Sequence, residues 1–358
     1  MPGDPSVTAP SRAGMSGADP SRPRVVDVHA HVLPPVLVEA MRTGDAPDGI
    51  RLEGAGDERT VVHRQGYRYP LLRAFHDVEA RLAAMDVQGT DLAVLSVAPP
   101  LLLYWVDAAT AVDSARLVND SIADMVGQAP DRFAGLATLP LQDPDAAVRE
   151  LRRSVLELGL RGAQIGPHVE GAPLDGGHLR PVLQAAVDLG VPLVVHPYYV
   201  GASPDLDEFY LTNLQGNPFQ TAVCASRLIL SGTLDALPSL DVVLVHGGGH
   251  LVYQAGRLDH GHRVRPEAAL PVRPPSTYLR RFHYDTLTHS PEATCWLLDM
   301  VGADRLMFGT DLPFDMAGGP LVEQLEGLDP TSDAFAAIAS GNAQRLFGLP
   351  ASVTDPRA

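Results

Sequence analysis

The stretch VVDVHAHV, residues 25–32, decides how the chain is organised. It is an apolar, valine-rich run of strand length, and a strand sends residues i and i+2 to the same face. His29 and His31 therefore project together from the end of a buried strand, where two imidazoles can chelate one divalent ion. Seven further apolar runs follow. They are LAVLSVAP from Leu92, FAGLATLP from Phe133, GAQIGPHV from Gly162, PLVVHPY from Pro192, DVVLVHGGG from Asp241, FHYDTLTH from Phe282 and RLMFGTDLPF from Arg305. Several are nearly unbroken Val/Leu/Ile stretches, as expected of parallel strands buried on both faces.

Helix-length segments separate these runs. Asp77 is placed to cap a helix whose Val78, Leu82 and Met85 share a face before Gly89 ends it. Similar patterns occupy roughly 107–128, 143–158, 178–190, 217–230, 250–262 and 291–301. Eight strands, each followed by a helix, predict an α/β fold of the (β/α)8 TIM-barrel type; a doubly wound open sheet is the alternative. The barrel domain is expected over 24–350, with a small lid-like insertion over about 41–76, where Gly, Arg and Tyr are frequent and periodicity is weak. Residues 1–23 lack an apolar core and read as a disordered tail instead of a signal peptide, and 351–358 read as a C-terminal tail.

Composition narrows the chemistry. The formal net charge of −16 argues against nucleic-acid binding, which needs a basic face to displace phosphate counterions. No apolar run is long enough to span a bilayer. The only two cysteines, Cys224 and Cys295, stand in no ligand spacing and form no disulfide framework, which fits a reducing cytoplasm. The sequence contains no lysine. That excludes Schiff-base chemistry on lysine and a Walker-type P-loop.

The strand-end position of the first two histidines recurs. His196 follows PLVV, His246 follows VVLV, and Asp311 follows LMFGT. In a (β/α)8 barrel, catalytic groups come from the C-terminal ends of several strands, so these five residues should converge. The segments DVHAHVLPP, AQIGPHV, VVHP, NPFQTAVCASRLILSG, VHGGGH, GRLDHG, FGTDLPF and GNAQRLFGL carry a resemblance over about residues 25–349. The chain resembles the amidohydrolase superfamily, and within it the aminocarboxymuconate-semialdehyde decarboxylase group. The resemblance implies that His29, His31, His196 and Asp311 bind one metal ion, with a water completing the site. It implies that His246 is a general acid/base beside that water. Two-metal relatives bridge their ions with a carbamylated lysine or a glutamate ending the fourth strand. Here that strand reads GAQIGPH, so a mononuclear site is expected, for zinc with manganese as the alternative.

A bound divalent ion lowers the pKa of water from about 15.7 to about 7. Asp311 is then placed to accept a proton, and His246 to pass one on. The resemblance implies a homodimer in which Arg257, in GRLDHG, reaches the neighbouring site and grips a substrate carboxylate as a guanidinium fork. The family's second arginine falls out of register here: Arg68 and Arg73 lie close, with Arg68 the candidate substrate contact. The family aromatic before the NP step is replaced near Asn213. Tyr198, beside His196, either lines the pocket or packs on the sheet. His250 either sits on a helix face, the favoured reading, or reaches the pocket, and Asp285 and His289 read as hydrogen-bonding support behind the metal. Tyr104 and Trp105 form either an aromatic wall or core packing. The expected activity is decarboxylation of a small unsaturated or aromatic carboxylic acid. A hydrolase or hydratase acting on a lactone, amide or activated double bond is the alternative. A catalytically dead scaffold is disfavoured, because each metal-site position holds a competent residue.

Overall fold

The computed structural model describes residues 23–350 except 57, 65, 199–203 and 330. The expected tails, all but Pro23 of the first and the whole of the second, lie outside the described residues. Eight strands run parallel: β1 Val26–Val32, β2 Leu92–Val97, β3 Phe133–Gly135, β4 Ala163–Ile165, β5 Leu193–Val195, β6 Val242–Leu244, β7 Phe282–Asp285 and β8 Leu306–Met307. Ladders join β1 to β2 to β3, and β4 through to β8. Parallel bridges Ala137–Ala163 and Ala30–Leu312 connect the two groups at both seams, so the strands form a ring. At the second seam Val28 N donates to Phe308 O (2.9 Å), His31 N to Leu312 O (2.7 Å) and Asp311 N to His29 O (2.7 Å).

Inside the ring pack Val26, Val28, Leu92, Val94, Ala134, Val194, Val243 and Met307. The ladder between β1 and β2 shifts register just above this layer. Asp27 pairs with Ala93 and Ala30 with Leu95, so three steps on β1 oppose two on β2. This is a β-bulge beneath His29 and His31, a device that re-aims side chains near active sites.

The helices form where turn chemistry and periodicity place them. Asp77 accepts from Ala80 N (2.9 Å) at the start of α1 (Val78–Gln88), and Gly89, at φ 75°, closes it. Asp107, Asp143 and Ser290 cap α2 (Ala108–Gln128), α3 (Pro144–Leu156) and α7 (Pro291–Val301) in the same way. The ring is completed by α4 Arg180–Leu189, α5 Asn217–Leu230, α6 Ala255–Val264 and α8 Asn342–Phe347. The helix expected from 250 starts only at Ala255, because a glycine turn and a further turn precede it.

Between β1 and α1 the chain forms a helix, Pro35–Thr43, and then a three-stranded antiparallel sheet of Ile50–Glu53, Thr60–His63 and Arg68–Pro70. Strands of three or four residues are too short for their alternation to register in a sequence window. Their Ile50, Val61 and Tyr69 nevertheless join the main core. Among the described residues no helix is long and apolar enough to cross a membrane.

Candidate metal centre and adjoining cavities

His29 and His31 end β1, His196 follows β5, and Asp311 follows β8. Their ring and carboxylate donor atoms all lie within 4.8 Å of one another, and all four residues are buried. The three imidazoles sit edge to face, with centroids 5.0, 5.0 and 4.9 Å apart. Each ring is oriented through its Nδ1. His29 Nδ1 donates to Asp285 Oδ2 (2.7 Å) and His196 Nδ1 to Pro197 O (2.6 Å). Ser96 Oγ donates to Gln164 Oε1 (2.7 Å), which leaves it to accept from His31 Nδ1 (3.1 Å). The hydrogen-bond network thus assigns the proton to Nδ1 in all three rings and a lone pair to each Nε2.

Those three Nε2 atoms and Asp311 Oδ1 are buried without a hydrogen-bond partner among the described residues. His31 Nε2 faces Asp311 Oδ1 at 3.0 Å, and His29 Nε2 faces it at 3.5 Å. Lone pairs converging at such distances repel unless a cation lies between them. Three imidazoles and one carboxylate, oriented from behind, therefore fit a single divalent ion.

The electrostatics agree. Burial pushes the His31 imidazole down to about 4, and burial with the neighbouring histidines pushes His196 well below its ordinary value. Both stay neutral, as ligands must. Burial also pushes His29 down, but Asp311 and Asp285 outweigh it and raise its pKa. Burial pushes the Asp311 carboxyl up, but His29, His246 and His31 hold it well below the usual carboxylate range.

His246 stands just outside the group of four. Its Nε2 lies 3.8 Å from Asp311 Oδ2, and its ring centroid is 5.1 Å from those of His29 and His196. His246 (φ 56°) and Asp311 (φ 65°) both adopt the left-handed conformation that residues with a Cβ seldom take. His246 opens a tight turn whose Gly247 N donates to Asp285 Oδ1 (2.7 Å). One carboxylate, Asp285, thus holds both His29 and the turn that carries His246. At Gly309 a Cβ would come within 2.8 Å of Asp285 Cβ and 2.9 Å of His29 Cβ, so only glycine lets β8 pass this close.

Two cavities meet at the centre and share Asn213, Asn217, His246, Asp311 and Met316. The larger, about 620 Å³, opens toward the small antiparallel sheet past Arg68, Tyr69, Tyr198 and Phe314. The smaller, about 330 Å³, lies between the ends of β6 and β7 and is lined by His250, Leu287, His289 and Trp296. Arg68 does line the larger cavity, but its guanidinium is bound to Glu53 (2.6 Å). Arg73 pairs with Asp77 (2.7 Å) and lines neither cavity.

Tyr198 both lines the site and packs, its ring 5.1 Å from that of Tyr104 and its hydroxyl accepting from Glu170 N (3.2 Å). Tyr104 and Trp105 are packing residues that line neither cavity, Trp105 donating to Asp48 O (2.8 Å). Arg257 is exposed on α6, lines neither cavity and has no partner among the described residues. His250 lines the smaller cavity, the less favoured of its two readings.

Sequence reasoning missed several residues that support the site. Arg81 is buried on the inner face of α1 and donates to the carbonyls of His31 and Leu312, tying the ends of β1 and β8 together. Ser96 and Gln164 orient His31, and Gln164 Nε2 also donates to Val97 O (2.8 Å). Their signal was present in the sequence: polar side chains inside apolar runs must find buried partners.

An amidohydrolase family model matches residues 26–349. A 2-amino-3-carboxymuconate-6-semialdehyde decarboxylase of Dictyostelium discoideum is 34% identical over 76% of this chain and 77% of its own. A gamma-resorcylate decarboxylase of Rhizobium radiobacter is 35% identical over 76% of this chain and 87% of its own. Among solved structures, a dihydroxybenzoic acid decarboxylase from Polaromonas, with bound manganese and the inhibitor 2-nitroresorcinol, superposes with TM-score 0.73 at 27% identity, covering 91% of this chain and 97% of that one. The chain belongs to the amidohydrolase family, in its aminocarboxymuconate-semialdehyde decarboxylase-like group.

Proposed function

We propose that this chain is a metal-dependent carboxy-lyase that removes carbon dioxide from a small unsaturated or aromatic carboxylic acid. The observation that carries the reading is the convergence of four buried, unpartnered donor atoms beside a histidine left free to move a proton. In this reading His29, His31, His196 and Asp311 hold one divalent ion. Zinc suits three imidazoles and a carboxylate, and the manganese of the Polaromonas enzyme makes manganese the alternative. Bound there, the ion supplies a Lewis acid that stabilises the negative charge developing as the carboxylate departs.

The protein's own groups do the rest. Asp311 Oδ2 faces His246 Nε2 at 3.8 Å, and the imidazole stands at the mouth of both cavities, placed to move a proton. His246 delivers that proton to the carbon bearing the carboxylate. The carbon–carbon bond then breaks, and its electron pair restores the unsaturation of the product. Tyr198, Tyr69 and Phe314 give the larger cavity an aromatic wall for a planar substrate. Arg257, exposed and without a partner among the described residues, is assigned to the carboxylate of a substrate in a neighbouring copy's site, which makes the working unit a homodimer.

The test is incubation with candidate unsaturated acids in ¹⁸O-labelled water, followed by mass spectrometry. Loss of carbon dioxide with no label in the organic product is expected. A product that keeps every carbon and gains a labelled oxygen would replace this reading with hydrolysis or hydration.

A further inference from the structure

The smaller cavity holds polar groups that the proton transfer does not use. Asn217, at the first turn of α5, is 9% exposed, and its Oδ1 is buried with no partner. Its carboxamide hydrogen-bonds to no described residue, yet it borders both cavities beside His246. A desolvated amide oxygen without a partner is destabilising, so its presence here points to a group that arrives with the ligand. A π-helical turn, Thr212–Gly216, precedes it and brings Asn213 into the same lining, a local irregularity frequent at functional sites. The imidazoles of His250 and His289 belong to the same lining, each without a hydrogen-bond partner among the described residues. Much of the remaining lining is apolar, with Leu214, Val252, Leu287, Ala293, Trp296 and Leu297, and Thr288 adds a hydroxyl. Apart from Asp311 it contains no carboxylate, whereas the larger cavity carries Asp207 and Asp315 on its exposed rim, where water already satisfies them.

We propose that the smaller cavity is a specificity subsite in which Asn217, assisted by His250, recognises a hydrogen-bond-donating substituent, hydroxyl or amino, on the framework of the substrate acid. This rests on the decarboxylase reading for the position of the departing carboxylate at the metal. The substituent's hydrogen is donated to Asn217 Oδ1, and His250 accepts or donates at the far side. A site that leaves a buried amide unpaired without that substituent rejects the plain acid far more strongly than an apolar pocket would.

The test uses the full chain loaded with manganese and two probes, 2-nitroresorcinol and nitrobenzene, which share the nitro group in place of the carboxylate and differ in the hydroxyls. Trp296 lines this cavity, and Trp105 lines neither, so quenching of Trp296 fluorescence, absent in Trp296→Phe, reports occupancy of the subsite. Wild-type enzyme should bind 2-nitroresorcinol with quenching. Asn217→Leu should weaken that binding about 10- to 100-fold, leaving nitrobenzene binding and metal content within twofold of wild type. Asn217→Ala serves the same purpose if the leucine variant does not fold, and His250→Ala should give a smaller loss, a few-fold.

Failure of wild type to bind 2-nitroresorcinol, binding without quenching, or an unchanged preference for the hydroxylated probe in the Asn217 variants would overturn the proposal. Carbon dioxide release from 2,6-dihydroxybenzoate is followed separately. Its absence beside Asn217-dependent binding counts against the decarboxylase reading and leaves the subsite standing.

Discussion

Replacing Asp285 with asparagine should cripple the metal centre without touching any of its four proposed ligands. Asp285 is fully buried, and its two oxygens have separate duties. Oδ1 accepts from Gly247 N (2.7 Å) and Leu287 N (3.2 Å), while Oδ2 accepts from His29 Nδ1 (2.7 Å). In Asp285→Asn the two backbone donors keep the amide oxygen on their side, so the NH2 group must face His29 Nδ1. Two donors cannot share a 2.7 Å contact. His29 relieves the clash by moving its proton to Nε2, the atom that points at the cation, and a protonated Nε2 cannot ligate. Removing a group that orients a metal-bound histidine typically costs about 10- to 100-fold in affinity, or roughly 1.4–2.7 kcal/mol. Forced reversal of the tautomer puts this variant at the upper end. Competition against a chromogenic chelator would measure the dissociation constant, and nitrogen NMR of the histidine rings would report the tautomer. An asparagine variant that binds metal within twofold of wild type, with His29 still protonated at Nδ1, would refute this account of the second layer.

Four further outcomes follow from the same geometry. His246→Ala should keep its metal but lose about 10²–10⁴-fold in turnover, whereas His31→Ala should lose the metal; elemental analysis beside rate measurements separates the two. Arg257→Ala should retain full metal content and weaken carboxylate binding, seen as a raised KM, and a fully active monomer in solution would contradict its assignment. Gly309→Ala forces a Cβ against His29 and Asp285 and should destabilise the fold by about 1–3 kcal/mol while lowering metal affinity, both readable by denaturation with and without metal.

The last concerns pH in chelator-stripped protein. Burial pushes the His31 imidazole down to about 4, against 6.5 for an ordinary imidazole, and burial with the neighbouring histidines also holds His196 well below that ordinary value. As pH falls below 6.5 the unfolded chain takes up protons that the folded one refuses, so stability should drop between pH 6.5 and 4. Asp27, pushed up to about 6 by burial, works in the opposite sense because the folded chain then binds the extra proton, and the raised His29 does the same; urea titrations across this range should show the net loss.

The barrel was legible because its signals are local and repeated. Apolar runs such as LVV and VVL, capping aspartates and closing glycines each specify one element, and their alternation specifies the ring. The converging histidines were legible for the same reason, since a strand end fixes where a side chain emerges. What lay hidden depends on contacts across the fold. Arg81 sits among the apolar positions of α1 and looks from the sequence like a solvated charge, yet it is bound to carbonyls of β1 and β8. The sheet in the insertion escaped notice because its strands are only three or four residues long. For His250 a helix face is the favoured reading over the pocket, because the pattern predicts a helix from 250. The turn from His246 to Gly249 keeps a positive φ throughout, so the helix starts later and His250 is left facing the cavity.

The bulge in β1 has a consequence for how such a site can be moved or remade. Val28 belongs to the packed layer inside the ring, and His29, its immediate neighbour, belongs to the metal group, so two consecutive residues both face inward. A regular pleat forbids this. The additional step on β1 acts as a phase shifter: below it the strand keeps time with the barrel's packing, and above it with the chemistry. Straightening the strand while keeping every residue would leave the valines in place and turn both histidines toward the surrounding helices. Grafting the His-Ala-His triplet onto another barrel would likewise fail unless the surplus residue travelled with it.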